Sequence, residues 1–402
     1  MKGTEQEKMV IVVREYEDEK DREGADAVDR ICEVGPSSGA ALFTDHLGDP
    51  VCRVRHTPAF IMLVAEMVSP ERQIVGLIRG CVKSVVCGEK AARRGGGSLP
   101  IHTKAAYILG LRVSPSHRRL GIGLKLVQRM EEWFISKGAE YSYMATDKDN
   151  KPSFHLFTDR LHYSKFRTPT ILVHPVFAGH RLPLPRTATL IPLSPSDAEL
   201  LYRRRFSTVE FFPRDIDDIL RNSLSLGTFL ALPSTTIFSG IESFLSAPPE
   251  SWAVLSVWDC KSLFRLEIRG APLILRSLAW TSRAVDRALP WLKIPSFPNL
   301  FRSFGGYFLY GLGGEGPAAK EFLRALCLHA HNMARADGCD VVATEVAACE
   351  PLMDGIPHWK RLSCAEDLWC IKRLADDYSD GAVGDWTRSP PGKSMFFDPR
   401  EV

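Results

Sequence analysis

The chain has 402 residues, enough for two or three domains that each bury a core. Its composition, 45% hydrophobic and 25% charged, excludes collagen-like and wholly disordered chains. The 51 Lys and Arg against 48 Asp and Glu leave a net charge of only +3, which gives no support for binding nucleic acid directly or for lying on an acidic membrane.

Neither a secretion signal nor a membrane span is predicted. The start of the chain is polar, and no apolar stretch reaches the roughly 18 residues that a transmembrane helix needs. The ten cysteines include no C-x-x-C pair, and the histidines form no ligand-like cluster, so no metal site is expected. We expect a soluble protein of the cytoplasm or nucleus.

The first elements predict a sheet that contains a hairpin. Residues 9–14 form a β-branched strand, and apolar positions over 26–34 have helical spacing. Two apolar runs, 60–67 and 73–82, flank a turn-prone segment and predict a β-hairpin. The glycine-rich and polar segment 86–104 predicts a surface loop.

The next segment alternates strands and helices, and it ends at a linker. Strand, helix, strand, short helix and strand are predicted at 105–113, 121–137, 140–146, 150–160 and 163–173. Five prolines over 175–195 then favour an irregular connection, which places a domain boundary near residue 185.

Part of this pattern returns about 200 residues later. The run YILGL at 107–111 resembles FLYGL at 308–312, and Gly138 and Gly338 end the helices that follow. We therefore predict an α+β protein made of two copies of one fold, with domains at 1–184 and 185–375. Residues 376–402 are polar and proline-rich, which predicts a tail. Three aromatic residues could anchor this tail to the rest of the protein, namely Trp386, Phe396 and Phe397.

The most informative segment is LRVSPSHRRLGIG at 111–123, which runs from a strand through a turn into a helix. Glycines let the backbone approach a ligand, and the first N–H groups of a helix lack intrahelical partners and can bind an anion such as a pyrophosphate. The segment contains neither G-x-G-x-x-G nor a Gly-Lys-Ser/Thr loop, so it matches no Rossmann or Walker pattern.

The R-x-x-G-x-G at 118–123 instead resembles the acetyl-CoA motif of the GCN-five-related N-acetyltransferase (GNAT) family. A second family signature, N-x-x-A/S-x-x-L/F-Y, is matched by Asn150, Ser153, Leu156 and, at its last position, Phe157. The resemblance covers residues 9–173 well. It implies a mixed, mostly antiparallel sheet flanked by helices, in a tandem whose second copy is degenerate because Glu315 stands in its glycine run.

The resemblance also implies how acetyl-CoA is held as the acetyl donor. The backbones of Leu111 and Val113 would bond to pantetheine, and Asn150 would lie near the pantetheine arm. The pyrophosphate would be held by the turn and helix start, at Arg118, Arg119, Leu120, Gly121, Ile122 and Gly123.

Several residues are candidates for the general acid and the general base. The family often has a tyrosine at the position of Phe157 to protonate the leaving thiolate, and Tyr163 is a substitute if its hydroxyl reaches the sulfur. The candidates for a general base are Glu66, Tyr143 and Asp147, of which we favour Asp147 and Tyr143.

Over the whole chain the sequence is similar to the HOOKLESS-type N-acetyltransferases of plants, through segments at 310–317, 356–360 and 389–401. This implies acetylation of a primary amine, on a protein such as a histone or on a small molecule, in the control of plant growth and hormone response. The alternative is a weak or inactive acyl-CoA fold that acts through protein contacts.

Overall fold

The fold was analysed in a computed structural model. It describes residues 10–32, 41–69, 71–91, 98–177, 179–270, 272–289, 291, 296–364, 367–375 and 384–402. Within these ranges the chain forms two large sheets and a two-stranded ribbon.

The first sheet has seven strands in the order β1-β3-β4-β5-β6-β15-β7. It is antiparallel except for the parallel pair β5 and β6. Its strands are β1 (Val10–Glu15), β3 (Ala59–Ser69), β4 (Gln73–Ala91), β5 (Ser98–Val113), β6 (Tyr141–Thr146), β7 (Ser164–Arg167) and β15 (Leu368–Arg373).

Helices cover both faces of this sheet. One face packs against α2 (Ile122–Ser136) and the short α3 (Lys151–His155), which continues as one π turn. The opposite face packs against α1 (Asp18–Ile31) and against the second half of the chain. Alternate residues of each strand therefore face α2 or the second half.

The second sheet has six strands in the order β8-β14-β13-β11-β10-β9, with β13 and β14 parallel. Its strands are β8 (Thr170–Pro175), β9 (Ala188–Leu193), β10 (Ser225–Pro233), β11 (Trp252–Asp259), β13 (Gly306–Glu315) and β14 (Val341–Val346). One face packs against α8 (Ala319–Ala336). The other face meets the first sheet across a large aromatic core, which also takes in α4 (Pro195–Arg205), α5 (Ile216–Arg221) and α6 (Ile241–Ser246).

Two peripheral elements complete the second half. Strand β12 (Arg265–Arg269) pairs with β2 (Ala41–Asp45) of the first half, and α7 (Leu273–Ala288) follows it.

The repeat seen in the sequence has a structural counterpart. Residues 105–108 pair in parallel with 141–144, and residues 306–309 pair in the same way with 341–344. Each pair is joined by a helix, and a glycine with positive φ follows each paired stretch, Gly110 at 62° and Gly311 at 60°.

The two sheets exchange a strand. The prediction of one strand over 163–173 was wrong, because the chain breaks at Pro169 into β7 in the first sheet and β8 in the second. In return β15, from the far end of the chain, lies between β6 and β7. The domain boundary near residue 185 stays a prediction, and each sheet contains a strand from the other side of it.

The loop predicted at 86–104 was also wrong in large part. Strands β4 and β5 continue to Ala91 and from Ser98, and the arginines of 92–97 lie outside the described residues. Contacts with the second half explain this extension, since Val86 exchanges backbone hydrogen bonds with Phe211 and Phe212. Similarly, the predicted linker contains β9, an edge strand on which Pro192 is tolerated.

The end of the chain packs into the core between the sheets. Trp386, Phe396 and Phe397 are buried. Two neighbouring charged residues, Asp398 and Arg400, are buried with them. Residues 376–383 lie outside the described ranges.

Candidate active site

The central feature is an opening between β5 and β6. The two strands pair only as far as Ile108 and Met144. Beyond this point β5 follows β4, whereas β6 follows β15. A bulge at Gly110, whose φ of 62° favours glycine, bends β5 away from β6.

The predicted positions Leu111 and Val113 line this opening. The N–H of Ser114 donates to Val75 on the β4 side, so by alternation the backbones of Leu111 and Val113 face away from β4. Side chains reach the two carbonyl oxygens instead, from Arg112 to Leu111 at 3.1 Å and from Arg118 to Val113 at 3.4 Å.

The turn from β5 into α2 presents backbone N–H groups. Arg119 has φ 66° and Gly121 has φ 78°, and Gly121 caps α2 without any side-chain hydrogen bond. The first turn of α2 contains no acidic residue, so the positive end of the helix dipole is not offset there. Within this turn Leu120 is half exposed, whereas Ile122 is buried.

Gly123 brings α2 close to the strand. A Cβ atom at Gly123 would lie 3.4 Å from Leu156 and 3.8 Å from Val113. The predicted pyrophosphate residues at 118–123 therefore lie at the mouth of the opening.

Asn150 caps α3, since its Oδ1 accepts from the N–H of Ser153 at 3.3 Å. In that role Asn150 fixes the start of the helix that follows β6. Phe157, two turns on, is buried among apolar residues.

The predicted acid Tyr163 lies on the α2 side of the sheet. Its ring meets Phe157 edge-on at 5.1 Å, and its hydroxyl donates to Ser142 Oγ at 2.8 Å. Burial raises the pKa of Tyr163 well above its ordinary value.

The two predicted bases lie elsewhere. Tyr143 faces the second half, and its hydroxyl donates to the carboxylate of Glu401 at 2.8 and 2.9 Å. Burial, followed by the nearby Glu401, raises the pKa of Tyr143 well above its ordinary value. Asp147 is exposed in the turn after β6, where it accepts from the N–H of Asp149 at 2.8 Å. The structure therefore does not bring Tyr143, Asp147 and Tyr163 together.

Sequence reasoning missed a group of residues on the second-half side of the opening. Tyr143 stacks on Tyr107 at 4.8 Å and on Trp369 at 5.3 Å. Trp369 pairs with Ala145, the first residue of β6 past the opening. Two carboxylates, Glu345 of β14 and Asp367, lie beside this aromatic wall.

Burial governs the ionisation of this group. It raises the pKa of Glu345 well above its ordinary value, with a further contribution from Asp367. Burial likewise raises the pKa of Asp367 to about 6. A lone glutamate in the apolar run VVATEVAA was the only sequence signal of this group, because Asp367 and Trp369 reach it only through the strand exchange.

The corresponding place in the second copy is filled. The Tyr202 hydroxyl donates to the Gly311 carbonyl at 3.0 Å, and a Cβ on Gly311 would overlap the Tyr202 ring. At the start of α8 the N–H of Ala318 donates to Ser251 Oγ at 3.1 Å. The second copy thus lacks the free helix start of the first. At the glycine itself the two copies are alike, since a Cβ on Gly110 would lie 2.7 Å from Arg79 Nη1.

The sequence is similar to known acetyltransferases. Residues 42–163 match the model of the acetyltransferase (GNAT) family. The chain is 59% identical to the probable N-acetyltransferase HLS1 of Arabidopsis thaliana, over 97% of this chain and 99% of that protein. It is also 41% identical to the acetyl transferase GW6a of Oryza sativa subsp. japonica, over 98% of each chain.

Among solved structures, the GCN5-related glucosamine N-acetyltransferase region of a fungal multi-domain β-N-acetylglucosaminidase is similar in fold. The TM-score is 0.55 at 11% identity, over 91% of this chain and 38% of that one.

None of the helices in the described ranges combines the length and apolar character needed to cross a membrane.

Proposed function

Because this chain belongs to the GNAT acetyltransferase family, we propose that it transfers the acetyl group of acetyl-CoA to a primary amine of a protein. The single observation that supports this most strongly is the opening between β5 and β6, with the uncapped start of α2 at its mouth. Pantetheine is narrow and can bond to strand backbone, whereas pyrophosphate suits helix N–H groups and arginine.

The residues present fit acetyl-CoA. Arg118, Arg119 and the amides of 120–123 would hold the pyrophosphate, and the backbones of Leu111 and Val113 would hold pantetheine. Asn150 orients the helix beside the arm. When bound, acetyl-CoA supplies an activated thioester, and the protein's main contribution is to hold a neutral amine against the carbonyl carbon in a water-poor site.

We further propose that the acceptor is a protein amine, on a histone or another regulator, and that the reaction serves plant growth and hormone response. Support comes from the near full-length similarity to the Arabidopsis and rice proteins. The partly buried carboxylates of Glu345 and Asp367 beside the opening also suit a lysine ammonium.

The test is thermal unfolding with and without acetyl-CoA. At 100 times its Kd a ligand adds about 2.7 kcal/mol. This should raise the Tm by roughly 3 °C if all 402 residues unfold as one unit, and by roughly 5 to 10 °C if the first half unfolds separately. Gly121→Glu should abolish this rise, because it places a negative charge against the pyrophosphate. Gly338→Glu is the matched control, since Gly338 has a similar φ of 73° and equally open surroundings in the second half.

The positions of the predicted acid and bases favour a second candidate function, that of an inactive scaffold. Tyr163 and Tyr143 are hydrogen-bonded to other residues, and Asp147 is exposed in a turn. A scaffold that has lost the cofactor would show no rise in Tm with acetyl-CoA, whereas a scaffold that still binds acyl-CoA would show the rise without acetylating an amine. Equal rises in the wild type and Gly121→Glu would instead refute the cofactor assignment.

A further inference from the structure

We propose that Glu345, from the second half of the chain, binds the acceptor amine as its ammonium ion and takes its proton, so that the active site is shared between the two copies. This rests on the proposed acetyl transfer and specifies its acceptor as a cationic primary amine. It also gives the degenerate copy a chemical role.

The position of Glu345 follows from the register of β14. Val342 and Val346 pack with α8, whereas Ala343 faces the core between the sheets. Glu345, two residues after Ala343, therefore points at the first sheet. There it lies near Trp369 and Asp367, and near the ring of Tyr107.

This place adjoins the opening. Tyr107 immediately precedes Ile108, the last residue of β5 that pairs with β6. Trp369 lies opposite Ala145, the residue after the last paired position of β6. An amine held between Glu345 and Trp369 would therefore approach the opening between β5 and β6 from the side opposite α2.

Two buried polar atoms here make no well-aligned hydrogen bond. They are Glu345 Oε1 and Trp369 Nε1, and among the described residues neither has a partner in good geometry, although Trp369 is only 5% exposed. The indole N–H does lie close enough to the carboxylates of Glu345 and Asp367 to favour their ionised forms. Leaving such groups unpaired is costly, so the arrangement is better suited to a ligand than to the empty fold.

The nearby cations are already engaged. Lys83 pairs with Glu401 at 2.7 Å, and Arg53 Nε donates to the carbonyl oxygen of Val402 at 2.8 Å. Within the described part of the chain, Glu345 and Asp367 form no ion pair. Burial disfavours the charge of both carboxylates while the site is empty. An ammonium ion would supply a counter-charge and so favour the ionised form of Glu345.

The Glu345 carboxylate takes one proton from the ammonium, and the neutral nitrogen forms a C–N bond to the thioester carbonyl carbon. The C–S bond breaks, and its electron pair leaves with sulfur as the thiolate. The nitrogen loses a second proton to solvent, the thiolate gains one, and deprotonation of Glu345 completes the cycle with net release of one proton.

The experiment uses the full chain and the peptide acetyl-Gly-Lys-Gly-amide, with norleucine in place of lysine as the neutral control. Peptide binding is measured by calorimetry, and acetylation of the lysine by mass spectrometry and steady-state kinetics. Glu345→Gln should keep the acetyl-CoA rise in Tm but lose lysine-peptide binding and about 10²- to 10⁴-fold in kcat/KM. Glu315→Gln, an exposed glutamate of the same half, should behave as the wild type.

Three results would overturn the proposal. One is a kcat/KM of Glu345→Gln close to that of the wild type. Another is equal binding of the lysine and norleucine peptides. The third is an acetyl-CoA-bound wild type that neither binds nor acetylates the lysine peptide.

Absence of any acetyl-CoA effect in the wild type would count against the acetyltransferase function instead. Lysine-peptide binding, compared between the wild type and Glu345→Gln without acetyl-CoA, would still decide the amine site. If Glu345→Gln does not fold, Glu345→Asp takes its place, because it keeps the carboxylate but moves it back by one methylene. A kcat/KM of Glu345→Asp equal to that of the wild type would also overturn the proposal.

Discussion

Replacing Asp398 with asparagine tests whether the end of the chain is a structural part of the core. Asp398 is buried and accepts from Lys83 at 3.1 Å and from Arg400 at 2.7 and 2.9 Å. Burial opposes ionisation of Asp398, but the charges of Arg400 and Lys83 outweigh burial and lower its pKa. The carboxylate is therefore the ionised centre of a buried cluster.

The expected loss of stability follows from what the two cations retain. Removing one partner of a buried ion pair costs about 3–5 kcal/mol. Arg400 would still pair with Asp215 at 2.6 Å. Lys83 would still lie 2.7 Å from Glu401 Oε1, which can accept its hydrogen bond whether or not Glu401 is ionised. We therefore expect the lower end for Asp398→Asn, about 3 kcal/mol of unfolding free energy.

Urea unfolding at pH 7 measures this, with Glu401→Gln as the comparison. Burial raises the pKa of Glu401, so its charge is disfavoured and its neutral replacement should cost only about 1 kcal/mol. Because the pKa of Asp398 is lowered on folding, its contribution is present above the unfolded pKa of about 4 and is lost as the pH falls below it. A loss under about 1 kcal/mol for Asp398→Asn at pH 7 would refute this reasoning.

Two further predictions concern stability. Trp386→Ala should lower the unfolding free energy by about 3–5 kcal/mol in the same urea assay. The reason is that the ring is fully buried and its N–H donates to Glu210 at 2.8 Å. An unchanged urea midpoint would mean that this segment does not pack into the core. Burial lowers the pKa of His174 to about 3 in the folded protein, whereas the unfolded chain keeps the ordinary value of 6.5. Between these two pH values only the unfolded chain binds the proton, so the unfolding free energy should fall as the pH falls. His174→Phe should remove about 2 kcal/mol of the wild type's loss between pH 7 and pH 5, and an identical loss in both proteins would contradict this.

The parts of the fold that follow from local pattern were predictable. The unit from β5 through α2 to β6 has clear strand and helix periodicity, and α2 spans Ile122–Ser136 against a prediction of 121–137. The turn at 118–123 could be located because glycine has a local conformational reason to stand there, as the φ of Gly121 shows.

What depends on distant contacts could not be predicted. Residues 86–104 look like a loop until Phe211 and Phe212 bond to Val86. Nothing local indicates that β15 enters the first sheet, so the proximity of Trp369 to Glu345 was hidden. The three candidates for the acid and the base do not lie together. Tyr143 and Tyr163 lie on opposite faces of the first sheet, and Asp147 is exposed in the turn after β6.

The exchange of β8 and β15 has a consequence for biosynthesis. During translation, the second edge of β6 stays unpaired until residues 368–373 have been made, more than 220 residues after β6 itself. An unpaired central strand is a hazard for aggregation, and this topology leaves it open for most of synthesis. A chain that stops before residue 368 would therefore leave β6 and β7 of the first sheet without the strand that lies between them.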